Sequence, residues 1–192
     1  IERAGKEEIV ECDQIISTVG RRPYSAGLGL DAIGLSANER GFLEVNGRMQ
    51  TKVPNVYAVG DVAGQPMLAH KGSKEGLVAA AVIAGQAEEY DAKCVPAVIF
   101  TSPEMASVGL TEAQAAEQGI EVKTGSFPFA ASGRAMSLME TDGFVKVVAD
   151  AKTDEVLGVH MVGPEVTELI AEAALAIELG ATAEDMARTI HA

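Results

Sequence analysis

The chain has 192 residues, with 15 basic against 28 acidic side chains and a formal charge of −13. That balance argues against nucleic acid and anionic membrane surfaces, which need a basic footprint, while a hydrophobic content of 47% argues against disorder. With no Trp and only 4% aromatics, Ala, Val, Ile, Leu and Met must fill the core.

The first twenty residues read as a hairpin. IERAG and EIVECDQIISTVG flank a polar turn at Lys6-Glu7-Glu8, and Ile15, Ile16 and Val19 read as a buried strand. Gly20 opens the loop GRRPYSAGLGL, where Pro23, Gly27 and Gly29 prevent regular structure. Leu28 to Gln50 carries turn signals at Asn38, Arg40-Gly41 and Asn46-Gly47 around short strands. Cys12 and Cys94 are too far apart in sequence for a local metal or redox motif, and both read as buried or bystander thiols. Two cysteines without a secretory signal fit a reducing, cytoplasmic setting. The longest apolar run, Gly76 to Gly85, falls short of the roughly 20 residues that span a bilayer.

The stretch Thr51 to His70, TKVPNVYAVGDVAGQPMLAH, reads as strand, sharp turn, loop and helix start. Val53, Val56, Tyr57 and Val59 favour an extended chain, and Gly60-Asp61 ends it. There a Gly permits close approach to the backbone, and an ionised Asp offers only acceptors. Alone, the pattern is met more often in an ordinary turn than in a ligand site. A helix is expected from about His70 to Ala84, with Leu77, Val78, Ala81, Val82 and Ala84 on its apolar face and Gly85 at its end. Gly72 and Gly76 weaken that helix by about 1 kcal/mol each relative to Ala, so close packing is their expected use.

Near Tyr90 to Pro96 the text changes to short strands and helices. VPAVIFTSPEMASVGL predicts a strand, a Ser-Pro turn and a second strand. Thr111 and Gln114 form a capping box for a helix ending at Gly119. IEVKTGSFPF is a further strand, and GFVKVVADAKTDEVLGVHMVG is a hairpin around Lys152 to Glu155. Pro164 is expected in the first turn of a helix whose face carries Val166, Leu169, Ile170, Ala173 and Ile177, with Gly180 as its stop. Thr182 caps a last helix with Glu184 and Asp185 in its first turn. Hairpins followed by helices indicate an antiparallel sheet with helices on it. The expected fold is thus α/β in the first half and α+β in the second. An Ile at the start and TIHA at the end suggest a fragment of a longer polypeptide.

The order and spacing of STVGRRPY, TKVPNVYAVGDV with MLAHKGSKEG, VPAVIFTSPEMASVG, FPFAASGRAM, TDGFVKVV, VLGVHMVGP and DMARTIHA add a resemblance. The chain resembles the pyridine nucleotide–disulfide oxidoreductases, and within them the dihydrolipoamide-oxidising branch better than the glutathione or mercuric reductase branches. The resemblance covers essentially the whole chain. It implies that residues 1–21 end an NAD-binding domain, 22–95 form the second segment of a FAD-binding domain, and 96–192 form an interface domain that builds a homodimer. It implies that Asp61 accepts a hydrogen bond from a ribityl hydroxyl of FAD, that Met67, Leu68, Ala69 and His70 lie along the flavin ring, and that Gly20 lies beside NAD. Arg21 and Arg22 would meet phosphates, or would simply be surface charges. No metal is implied.

Two G-x-G-x-x-G fingerprints and the Cys-x4-Cys disulfide of the family are absent here, and the catalytic His would follow Ala192. No catalytic residue is therefore assigned, and His191 reads as structural. The resemblance further implies oxidation of dihydrolipoamide with NAD as acceptor in 2-oxoacid dehydrogenase complexes. The partners would be the lipoyl and peripheral subunit-binding domains of a dihydrolipoyl acyltransferase. The alternatives are a non-catalytic dimerisation piece, or another member of the same family of the mercuric or glutathione reductase type.

Overall fold

A computed structural model describes residues 1–3 and 5–191; Ala4, in the first expected strand, and Ala192, the expected spacer of the C-terminal motif, lie outside the described residues. The best-packed part is a five-stranded antiparallel sheet in the order β3-β4-β7-β6-β5. Its strands are β3 (Ala97–Ile99), β4 (Glu104–Gly109), β5 (Val122–Pro128), β6 (Phe144–Asp150) and β7 (Val156–Gly163). β6 and β7 form the expected hairpin, with a register shift at Val148/Ala149. β7 is the central strand, paired with β4 on one side and β6 on the other.

Helix α4 (Val166–Leu179) lies over β4 and β7. Ala106, Val108, Val159 and Met161 from the sheet meet Val166, Ile170, Ala173 and Ile177 from the helix in one buried cluster. Full burial of each larger aliphatic side chain contributes about 1.5–3 kcal/mol. Here Pro164 does not enter the helix. Glu165 is the cap, in the left-handed region, and its carbonyl accepts the first helical amides, so Pro164 stands one residue outside. Leu169 also departs from expectation. It is 47% exposed, and Ala176 takes the buried place, because the contact with the sheet is narrower than the apolar face of the helix.

The local end signals hold. Helix α2 (Glu112–Glu117) has both hydrogen bonds of its Thr111–Gln114 capping box. Helix α5 (Ala183–Arg188) has the equivalent pair between Thr182 and Asp185. A short helix α3 (Gly133–Leu138) between β5 and β6 was not anticipated; Ser132 caps it.

The first half holds a smaller core. Helix α1 (Ala69–Ile83) buries Val78, Ala79 and Val82 against Met49, with Val45, Tyr57 and Tyr90 alongside. Leu77 and Ala84, expected on that face, are exposed. The helix closes at Gly85 (φ +83°), whose N–H reaches Val82 O while Gln86 N–H reaches Ala81 O. The turns at Asn38 and Asn46 form as read, each side chain accepting two backbone N–H groups. The short strands expected around these turns do not form; a single bridge joins Gln50 to Tyr57, and Val53 to Val59 are not a regular strand.

The opening hairpin is the largest correction. Strands β1 (Glu2–Arg3) and β2 (Lys6–Glu7) are two residues each, with the turn before Lys6 rather than at Lys6-Glu7-Glu8. Residues 8–20 carry no strand, and Ile15, Ile16 and Val19 are 86%, 86% and 89% exposed. Extended backbone is retained only where a neighbour shares its ladder hydrogen bonds; Glu8 exchanges a pair with Ile1, and no described residue supplies one to residues 9–20. Cys12, in the same segment, is exposed rather than buried. No helix among the described residues is long and apolar enough to cross a membrane.

Candidate cofactor-binding site

The extended residues after the Gln50–Tyr57 bridge lead into a one-turn 3-10 helix, Gly60–Val62, and α1 starts seven residues later. Gly60 adopts φ +76°, which an L side chain resists. A Cβ built on Gly72 would stand 3.0 Å from Gly60 Cα, so the turn and the helix touch backbone to backbone. This is the close packing expected of Gly72. Gly76 faces open space within the described residues.

Asp61 projects from this turn. Its carboxylate lies 3.5 Å from Arg21 Nη1, and its side chain is 41% exposed. The same guanidinium donates to Met67 O at 3.3 Å. Arg21 therefore bridges the Asp61 turn and the segment before α1. So loose and exposed a pair contributes little to stability, and it leaves carboxylate lone pairs free for a hydroxyl donor.

Leu68, extended at φ −127°, is the cap of α1, and Met67 and Leu68 are half-buried. Ala69 and His70 are exposed in the first turn. That turn presents amides without intrahelical partners and the positive end of the helix dipole. His70 Nε2 lies 2.7 Å from Pro96 O and ties the helix start to the approach to β3. Asp61 and residues 67–70 thus share one neighbourhood, with Arg21 between them. Gly20 adjoins it in sequence, but it sits at φ +83° with nothing within 4 Å of an added Cβ.

A half-exposed carboxylate, a helix amino terminus and a glycine contact that brings backbones together suit a hydroxylated, anionic cofactor such as a flavin nucleotide. The described residues fit such a group along one side.

Two residues under this site escaped the sequence reading. Lys71 and Glu75 are 5% and 4% exposed and form an ion pair at 2.8 Å. Their signal was the spacing: 71, 75, 78 and 82 fall on one helical face, with the two charges continuing the stripe of Val78 and Val82.

A second cluster lies at the chain end. His191 Nε2 meets Glu172 Oε1 at 2.7 Å, fastening the terminal segment to α4. The Glu172 hydrogen bond and charge raise the His191 pKa above the ordinary imidazole value. Its expected structural role gains a partner that the sequence reading did not name. Cys94 lies under α4, with Sγ 3.7 Å from Ala174 O. Burial pushes its thiol up and Glu178 adds to the shift, so it is a poor nucleophile.

Comparison with known proteins decides the family. The dimerisation domain of the pyridine nucleotide-disulphide oxidoreductases matches residues 95–192, and a further pyridine nucleotide-disulphide oxidoreductase region matches residues 2–76. The chain belongs to the pyridine nucleotide-disulphide oxidoreductases. This family uses flavin and pyridine nucleotides. A dihydrolipoyl dehydrogenase of Thermus scotoductus is 54% identical over 189 residues, covering 98% of this chain and 41% of the relative. The mitochondrial dihydrolipoyl dehydrogenase of Sus scrofa is 50% identical over 188 residues, covering 98% and 37%. The chain therefore spans about two fifths of the length of these relatives. Among solved structures, the HOCl-induced flavoprotein disulfide reductase RclA from Escherichia coli is similar, with a TM-score of 0.84 and 29% identity, covering 91% of this chain and 41% of that one. LpdA from Mycobacterium tuberculosis is similar at a TM-score of 0.83 and 29% identity, covering 91% and 38%.

Proposed function

We propose that this chain is the C-terminal portion of a flavoprotein that oxidises dihydrolipoamide to lipoamide with NAD as acceptor, in a 2-oxoacid dehydrogenase complex. The observation that carries the reading is the Gly60-Asp61 turn, packed on α1 with its carboxylate half-exposed, in a chain that is 54% identical to a named dihydrolipoyl dehydrogenase. Residues 1–21 close an NAD-binding domain, 22–95 belong to a FAD-binding domain, and 96–192 form the interface domain of a homodimer. The lipoyl and peripheral subunit-binding domains of an acyltransferase are its protein partners, and the setting is cytoplasmic.

FAD, when bound, supplies two-electron transfer between a dithiol and NAD. The work of this chain is binding and orientation. Asp61 accepts from a ribityl hydroxyl. The backbone at Met67, Leu68, Ala69 and His70 borders the flavin ring, and the positive end of α1 favours negative charge there. Gly20 borders NAD. Arg21, 3.5 Å from Asp61, holds the carboxylate toward the segment before α1.

Asp61→Ala in the full-length protein is expected to weaken flavin retention, read as flavin content after extended dialysis. Unchanged content sinks the assignment. A second reading, a dimerising piece without chemistry of its own, is favoured by the contrast between the packed sheet and the exposed residues 8–20. On that reading the isolated 192 residues form a dimer, hold no FAD and do not turn over dihydrolipoamide. A bound-flavin spectrum, or a monomer mass in sedimentation, argues against it.

A further inference from the structure

The buried pair beneath the Asp61 turn does more than neutralise itself. Glu75 Oε2 accepts the Gly60 N–H at 2.6 Å, while its Oε1 meets Lys71 Nζ at 2.8 Å. Lys71 Nζ donates to Gly60 O at 3.3 Å and to Gly64 O at 3.1 Å. Both backbone polar groups of the residue before Asp61 are thus held by side chains of α1, one by each member of the pair. The carbonyl at the far end of the turn is held as well. An ammonium has three protons to give, and Glu75, Gly60 and Gly64 take all three.

We propose that Lys71 and Glu75 are a positioning pair: they clamp the Gly60–Gly64 turn to α1 and so fix where the Asp61 carboxylate meets the flavin ribityl chain. The inference rests on the flavin reading of Asp61. An isolated buried ion pair is commonly neutral for stability against an apolar replacement, so stability alone is a weak account of two charges kept here. The hydrogen-bond polarity is the specific feature. A donor must stand at 71, where it faces carbonyls, and an acceptor at 75, where it faces an N–H. With the Gly60 and Gly72 backbones in contact, the turn has no slack to find other partners.

The test uses the full-length protein with FAD bound and reads flavin dissociation by the rise of free-flavin fluorescence after dilution. The visible circular dichroism of bound flavin serves as the spectroscopic signature. Lys71→Met or Glu75→Leu should speed dissociation about tenfold to a hundredfold, as expected when a buried polar group loses its partner. The exchange Lys71→Glu with Glu75→Lys keeps the ion pair and the net charge but presents an acceptor to carbonyls and a donor to an N–H. It should be as loose as the single variants, with altered dichroism. Lys71→Gln with Glu75→Gln keeps a donor and an acceptor in place without charge, and should restore retention toward that of the unaltered protein.

Native retention in the charge exchange overturns the proposal. Should that variant not fold, amide exchange of the unaltered, flavin-free protein decides: Gly60 N–H exchanging slowly supports the clamp, and exchange at the rate of an open loop overturns it. Asp61→Ala separates the two layers. If it leaves retention unchanged, the flavin reading fails. If it loosens flavin while the charge exchange does not, only the positioning role falls.

Discussion

Two stretches of this chain carry similar text and meet different fates. QIISTVG and VLGVHMVG are both short, β-branched, apolar runs ending in Gly, and either reads as a buried strand. The second is β7, paired on both edges and covered by α4, with Val159 fully buried. The first is irregular chain in solvent, with Val19 at 89% exposure. A strand's sequence states its willingness to be buried, but a neighbouring strand and a covering face must do the burying. The same contrast separates α4, which has a sheet beneath it, from the Val53–Val59 run, which keeps only one bridge.

The sharpest way to break the comparison is to damage the packed side. A Cβ on Gly158 of β7 would lie 2.0 Å from Leu110 O, and backbone cannot move aside cheaply. Gly158→Ala should cost about 3 kcal/mol or more, read as a lower urea midpoint for loss of the sheet. On the cofactor side, Gly72→Ala meets Gly60 Cα at 3.0 Å, a contact relieved by a shift of a few tenths of an ångström. It should cost about 1–2 kcal/mol and loosen the 60–64 turn, seen as faster amide exchange there. Thr111→Ala removes a side-chain cap from α2 and should cost about 1 kcal/mol by thermal unfolding, with α4 unaffected.

A smaller, local effect follows pH. The folded-state pKa of His191 is raised by Glu172, so the tether is fully present below the ordinary imidazole range and is lost as pH rises through the raised value. Amide exchange at residues 189–191 should quicken on that rise, and Glu172→Gln should abolish the pH dependence. Asp185 behaves oppositely. The Thr182 hydrogen bonds lower its pKa, so its cap contribution is present above the ordinary carboxylate range and is lost as pH falls through the lowered value. Ile15→Ser and Val19→Ser should change the stability of this chain by no more than about 0.5 kcal/mol, since neither side chain is buried. A larger loss in denaturant titration would mean that this segment has a partner in solution.

The sequence by itself determined many of the features that depend on near neighbours. The capping box at Thr111, the cap at Thr182, the Gly85 and Gly180 helix ends, the Asn38 and Asn46 turns and the 144–163 hairpin all form as read. These features close their hydrogen bonds within a few residues, so composition and spacing suffice. Asp61 and residues 67–70 were likewise legible as one neighbourhood, because a single turn and helix start connect them. Only the tertiary structure decided which apolar runs would be covered, and it left Ile15, Leu77 and Leu169 outside. It alone joined Arg21 to Asp61, Glu75 to Gly60 and Glu172 to His191 across 40, 15 and 19 positions. Those contacts depend on where folded elements cross, and the free energy of a buried charge or strand is set by the partner found there rather than by the residue that seeks it.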